Sequence, residues 1–215
     1  MVDSWREDPL QYWAVVPVKT LSQAKSRLSK ALTPSDRHRL VLALLVRTLQ
    51  VLGDIEELAR VAVVSRDPNV WAVARARRAT ALREPGPEGL NAALSWAAAR
   101  IIERGGGGLL VIPVDLPLLT VESVRQLLKL ATAPGMVIAP DRSGQGTNAL
   151  IVVPPDLIPF RYGVHPAGTG PDSGSFERHL ALARAAGVIP RVLRCDDLAQ
   201  DLDQPDDLSL VTDRI

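Results

Sequence analysis

Leu109-Leu110-Val111-Ile112 runs directly into Pro113-Val114-Asp115. Four successive apolar side chains leave no face for solvent, the pattern of a central parallel strand covered on both sides. Before the run, Glu88 to Glu103 carries Leu90, Ala93, Leu94, Ala97 and Ile101 at helical spacing, and the glycines Gly105 to Gly108 stop that helix. After it, Val121 to Leu130 reads as a second helix, with Thr120 as its natural N-cap. A helix on each side of a doubly buried strand is the signature of an α/β layer.

The same alternation extends outward. Trp13 to Pro17, Val61 to Val64 and, more weakly, Thr80 to Leu82 are strand-like, with helices expected over Pro34 to Leu52 and from Asp67-Pro68. Downstream, Met136 to Ala139 and Asn148 to Val153 read as strands, Phe176 to Ala186 as a helix and Val188 to Leu193 as a last strand. A polar, basic loop spans Val18 to Lys30, and a short helix is expected after Pro205. These elements predict one α/β domain over residues 1–215, a mostly parallel sheet with helices on both faces. In such sheets ligands sit beyond the carboxyl ends of the strands, so the residues just after each strand matter most.

Composition narrows the function. Twenty-five basic and 24 acidic side chains give a net charge of +1, which argues against a general nucleic-acid binder. Cys195 is the sole cysteine, so intramolecular disulfides and multi-thiolate metal sites are excluded and a reduced, cytoplasmic setting is expected. The start, MVDSWREDPLQYW, is too acidic and too poor in apolar residues for a signal peptide, and no run is long enough to cross a bilayer. The three histidines, His38, His165 and His179, lack zinc spacing, and His38 and His179 read as ordinary helix residues. No GxSxG or Cys–His pair suggests covalent catalysis.

Several segments carry candidate chemistry. VPVKTLSQAKSRLS, from Val16, places Lys19, Lys25 and Arg27 directly after the first strand, where they suit phosphate; a solvated basic loop is the bland alternative. There is no Walker-type phosphate loop. In VIPVDLPLLT, Asp115 lies between Pro113 and Pro117 at a strand end, a stiff position for a Mg²⁺ ligand. In DDLAQDLDQPDDL, Asp201 and Asp203 flank Leu202, so an extended tail folded beside Asp115 could add a second carboxylate, while Asp206 and Asp207 suit the first turn of a helix. APDRSGQGTNAL offers Thr147 and Asn148 as neutral hydrogen-bonding groups beside a Gly144–Gly146 turn, with Asp141 and Arg142 nearby. GTGPDSGSFERH surrounds Ser173 and Ser175 with small residues and can wrap a phosphate.

Together with GLNAAL at Gly89 to Leu94, these segments resemble the 2-phospho-L-lactate and phosphoenolpyruvate guanylyltransferase family of deazaflavin coenzyme F-420 biosynthesis, relatives of the molybdenum-cofactor guanylyltransferases. The resemblance covers residues 13 to about 210 and implies a Rossmann-like three-layer sandwich of the nucleotide-diphospho-sugar transferase type. It implies GTP along the strand ends, with Pro17, Lys19, Lys25, Gly89 and Asn91 around the nucleotide and Lys25, Arg27 and Asp115 at the chemistry. It further implies Mg²⁺ on Asp115 with Asp201 or Asp203, and a phosphorylated three-carbon acid held by Thr147, Asn148, Gly170, Ser173 and Ser175. Functional coupling to the enzyme that consumes the product is a further implication. The chain departs from the family's compact phenylalanine-glycine-x-x-serine loop: Phe160 to Phe176 is longer, and Gly170 to Ser173 keeps the glycine-to-serine spacing. A cytidylyl- or molybdopterin guanylyltransferase would usually open with a glycine-rich loop, and VPVKTLSQAKSRLS has no glycine. A non-catalytic nucleotide-binding protein would not need Asp115, Asp201 and Asp203.

Overall fold

The computed structural model describes residues 10–23, 25–86, 89–163 and 174–211. Among them, β1 (Tyr12–Pro17), β2 (Leu58–Ser65), β3 (Thr80–Arg83), β4 (Gly108–Val111), β5 (Gly135–Pro140), β6 (Thr147–Val153) and β7 (Arg191–Val192) form one sheet in the order β3-β2-β1-β4-β6-β5-β7. Only β6 runs antiparallel to its neighbours β4 and β5; every other pairing is parallel. The helices are α1 (Pro34–Gly53), α2 (Pro68–Ala76), α3 (Leu90–Ile102), α4 (Val121–Leu130), α5 (Ser175–Ala185) and the single turn α6 (Asp196–Ala199).

Strand alternation sorts the core into two faces. Ala14 and Val16 of β1, Leu110 of β4 and Ala149, Ile151 and Val153 of β6 pack with Leu44, Leu45 and Leu52 of α1 and with Val124 and Leu127 of α4. Trp13 and Val15, Leu109 and Val111, and Leu150 and Val152 turn the other way, onto Leu94, Ala97 and Ile101 of α3 and Phe176, Leu180 and Ala183 of α5. The result is a three-layer sandwich in which each fully buried Leu or Val contributes about 1.5–3 kcal/mol of transfer free energy. It is the architecture the apolar runs predict.

Two elements differ from the sequence reading for local reasons. The last strand shrinks to Arg191–Val192, because Pro190 has no N–H to donate to the ladder. The basic loop contains two short 3-10 turns, Leu21–Gln23 and Ser26–Lys30, anchored by the buried side chains of Leu21 and Leu28. Thr120 does cap α4: its hydroxyl accepts from Ser123 N–H.

β1, β2 and β3 progress toward one edge and β4 starts the other half, so the chain changes direction between the adjacent strands β1 and β4. A crevice at such a switch point is where open α/β sheets place their ligands.

Candidate active site

A cavity of about 500 Å³ opens at that point. Its walls come from the ends of successive strands: Pro17 to Thr20 after β1, Arg66 after β2, Glu84 after β3 and Pro113 to Asp115 after β4. Gly89 and Leu90 bring the N-terminus of α3 to the same wall, where its free N–H groups favour negative charge. Gly89 has φ +94°, a conformation that favours glycine there.

The basic loop folds back over the crevice. Leu21 N–H donates to Asp67 Oδ2 at 3.0 Å, tying the loop to the segment after β2. Lys25 then takes a left-handed backbone, φ 52°, unusual for a side-chain-bearing residue and a sign that its surroundings dictate its direction. Its Nζ lies 2.8 Å from Asp115 Oδ2 and 3.1 Å from Asp203 Oδ1, and its side chain is only 6% exposed. Arg27 Nη1 holds the other oxygen of Asp203 at 3.0 Å. Burial alone would lower the Lys25 ammonium; the charges and hydrogen bonds of Asp115 and Asp203 outweigh it and hold the group above its ordinary value.

The tail reaches this place through backbone bonds. Leu202 N–H donates to Asp115 O at 2.9 Å, and Leu198 and Leu202 are fully buried. Asp201 and Asp203 flank the Leu202 anchor, and Asp207 accepts from the N–H groups of Asp203 and Gln204, fixing the turn that follows. Burial, then the charges of Asp115 and Asp203, push the Asp201 carboxyl up to about 6. Arg47 of α1 pins the loop after Asp115 from below, donating to Pro117 O at 2.9 Å and Leu119 O at 3.0 Å.

Mg²⁺ fits this donor set. It takes oxygen ligands, commonly one or two carboxylates, and completes its shell with water and substrate phosphate. Asp115 and Asp203 already share one cation, the Lys25 ammonium. Among the described residues no group of three or more His, Cys, Asp or Glu side chains is placed to hold a metal ion, so a Mg²⁺ on these two carboxylates would draw the rest of its shell from substrate and water oxygens.

The model of the family described as "Guanylyl transferase CofC like" matches residues 12–212, nearly all of the chain. The chain belongs to the CofC-like guanylyl transferases. It is therefore a nucleotidyltransferase. Two relatives named phosphoenolpyruvate guanylyltransferase bear this out. That of Sphaerobacter thermophilus is 42% identical over 91% of this chain and 89% of its own. That of Rubrobacter xylanophilus is 44% identical over 93% of each. A solved Desulfovibrio desulfuricans G20 protein, classed with the nucleotide-diphospho-sugar transferases, shares the fold with a TM-score of 0.71 at 16% identity, covering 91% of this chain and 83% of that one.

Within this guanylyl transferase, Pro17, Lys19, Lys25, Arg27, Gly89, Asp115 and Asp203 line the cavity together. Asp201 is not among the lining residues, although the charges of Asp115 and Asp203 reach it. Asn91 and Asn148 hold the frame. Asn91 donates to Tyr162 O at 3.2 Å and accepts from Tyr162 N–H at 2.7 Å, so its amide is engaged with the chain after β6 rather than with the cavity. Asn148 donates to Leu198 O at 2.9 Å and Ala199 O at 3.2 Å, fastening the tail that carries Asp201 and Asp203. Asp141 accepts from Gln145 N–H and Ser143 Oγ–H and so closes its own turn. Gly174 is needed beside that turn, because a Cβ there would lie 2.2 Å from Gln145 O. Gly170 and Ser173 lie outside the described residues.

Thr147 and Ser175 meet in a buried network the sequence does not announce. Ser175 Oγ donates to Thr147 Oγ1 at 3.2 Å, and Thr147 Oγ1 lies 3.0 Å from His179 Nδ1. Arg161 N–H donates to His179 Nε2 at 3.0 Å, which leaves the neutral ring's proton on Nδ1, pointed at Thr147. Burial, then the charges of Arg178 and Arg161, lower His179 to about 4. Because the folded value lies below the unfolded one, the unfolded chain binds the proton first as pH falls. The contribution of His179 to stability is therefore complete above about pH 6.5 and is lost toward pH 4, by on the order of 3 kcal/mol, while the raised Asp201 carboxyl acts in the opposite direction below about pH 6. Urea unfolding midpoints of the wild type should fall, relative to those of His179→Gln, as pH drops from about 6.5 toward 4; parallel profiles for the two proteins would remove His179 as a source of pH dependence.

Proposed function

We propose that the enzyme joins GMP from GTP to the phosphate of a small three-carbon acid and releases pyrophosphate, a step in assembling the deazaflavin coenzyme F-420. The relatives' name points to phosphoenolpyruvate as acceptor, with 2-phospho-L-lactate and 3-phosphoglycerate as the other candidates. The observation that carries the reading is the buried Lys25 ammonium held between Asp115 and Asp203 at the cavity mouth, beside Lys19 and Arg27.

An oxygen of the acceptor phosphate attacks the α-phosphorus of GTP; the bond from that phosphorus to the β-phosphate oxygen breaks, and pyrophosphate carries away the electron pair. A phosphate monoester is already largely ionised near neutral pH, so no protein base is needed. The protein's work is alignment and charge. Lys19, Lys25 and Arg27 meet the triphosphate, and Lys25 exchanges its carboxylate partners for phosphate oxygens as nucleotide enters. Asp115 and Asp203, with Asp201 near them, would hold Mg²⁺, which would supply Lewis-acid stabilisation of the crowded phosphate oxygens. The α3 N-terminus at Gly89 lies along the nucleoside. The resemblance assigns the acceptor to Thr147, Asn148 and Ser175, with Gly170 and Ser173 outside the described residues. Thr147 and Ser175 are buried and are not among the residues that line the cavity, so on this reading they shape the acceptor's side of the site, and His179 keeps the Thr147 hydroxyl in place. Neither nucleic acid nor membrane enters the reaction, and the enzyme that consumes the phosphoanhydride product is its functional partner.

The test is pyrophosphate release from GTP and Mg²⁺ with each acid in turn. Release with one of them, abolished by EDTA, is expected. Equal nucleotide binding with and without Mg²⁺, and no pyrophosphate with any acid, would instead favour a non-catalytic nucleotide-binding protein.

A further inference from the structure

We infer that Glu84 and Arg66 together read the guanine base, and so select GTP over other nucleotides. The inference rests on the proposed use of GTP and adds the residues that recognise it.

The cavity is polar at both ends. Lys19, Lys25, Arg27, Asp115 and Asp203 occupy the end beneath β1 and β4, where phosphates and chemistry belong. At the other end, beneath β2 and β3, the charged groups are Arg66 and Glu84. From β3 to β4 is three strand spacings in the order β3-β2-β1-β4, roughly 14 Å at about 4.8 Å per strand, which suits a nucleotide laid across the strand ends. With the triphosphate at β1 and β4, the base falls at Arg66 and Glu84.

The pair matches guanine's edge. Guanine presents N2–H and N1–H donors and, next to them, the O6 acceptor. A carboxylate accepts from both donors, and a guanidinium beside it donates to O6. Arg66 Nε and Glu84 Oε2 are 3.5 Å apart, adjacent enough to address neighbouring ring positions. Arg66 Nε is buried and makes no hydrogen bond among the described residues, and the Glu84 side chain is 13% exposed. Adenine reverses the pattern: its N1 acceptor would meet the carboxylate and its amino group the guanidinium.

The frame is rigid. Glu84 N–H donates to Ser65 O at 3.1 Å and continues the β2–β3 pairing beyond Arg83. Trp71 Nε1 donates to the same Ser65 O at 2.9 Å, and the Arg83 guanidinium lies over the Trp71 ring. A Glu84→Gln change keeps the side chain's shape and the backbone bond to Ser65 while it removes the charge, the ion pair to Arg66 and the two-oxygen acceptor pattern.

Calorimetric titration of the full chain with GTP, ITP and ATP, in Mg²⁺, tests the assignment. Hypoxanthine keeps N1–H and O6 and lacks only the 2-amino group. The wild type should bind GTP about 10-fold tighter than ITP and about 100-fold or more tighter than ATP. Glu84→Gln should weaken GTP by about 10- to 100-fold and bring GTP and ITP within about 3-fold of each other. Arg66→Gln should weaken GTP and ITP together, because both carry O6, and leave their ratio unchanged. Unchanged GTP:ITP and GTP:ATP ratios in Glu84→Gln, an equal fall for all three nucleotides, or undiminished GTP binding by Arg66→Gln would each overturn it. Those results would leave the proposed reaction standing, whereas a wild type that binds no GTP would overturn both.

Discussion

Replacing Asp115 by alanine should lower turnover by about a thousandfold or more while the protein keeps its fold. The carboxylate is one of two that share the Lys25 ammonium, and it lies in the loop that follows the central strand β4, where the attacked phosphorus would sit. Its backbone carbonyl accepts from Leu202 N–H, a bond untouched by the change, and Lys25 keeps Asp203 as a partner when the Asp115 carboxylate is gone. The side chain is a quarter exposed, at 25%, so its loss opens no core cavity. Pyrophosphate release and a thermal melt, measured on the same preparation, separate the two effects. Near-normal turnover would remove Asp115 from the mechanism.

Lys25→Met should act on both stability and chemistry. The ammonium is nearly buried and neutralises Asp115 and Asp203 with Asp201 close by, so its loss leaves like charges facing one another. Asp115 and Asp203 keep 25% and 38% exposure, and solvent screens part of the repulsion, so the cost should be about 1–2 kcal/mol, smaller in high salt. Nucleotide affinity should fall, because the cation nearest the phosphates is gone. Divalent ions, in contrast, should bind the nucleotide-free variant more tightly than the wild type, since the ammonium no longer competes for Asp115 and only Arg27 still pairs with Asp203. Mn²⁺ titration followed by electron paramagnetic resonance, without nucleotide, reads this directly. Weaker Mn²⁺ binding by Lys25→Met would contradict the arrangement.

The strands were legible because doubly buried strands leave uninterrupted apolar runs, Leu109 to Ile112 most plainly. The carboxylates were legible because Asp115 ends such a run and because Asp201 and Asp203 alternate around one leucine. What the sequence concealed depends on side chains that bond backbone far away. Arg47 reaches Pro117 and Leu119, Asn91 reaches Tyr162, and Asn148 reaches Leu198 and Ala199. Nothing in local spacing distinguishes such an asparagine from one that faces a ligand. His179 reads as an ordinary helix residue, yet it is fully buried and bonded at both ring nitrogens. Arg66 and Glu84 obey the rule that residues just after strands matter, but they belong to no motif, and only the strand order sets them side by side.

Mass spectrometry of the products formed from GTP and phosphoenolpyruvate in Mg²⁺ tests the central claim most directly. The account predicts pyrophosphate and, in equal amount, an adduct with the mass of GMP plus phosphoenolpyruvate less one water. The same adduct chemistry on 2-phospho-L-lactate or 3-phosphoglycerate would change the acceptor and keep the reaction. GTP left intact with all three acids, or consumed without any adduct, would contradict it.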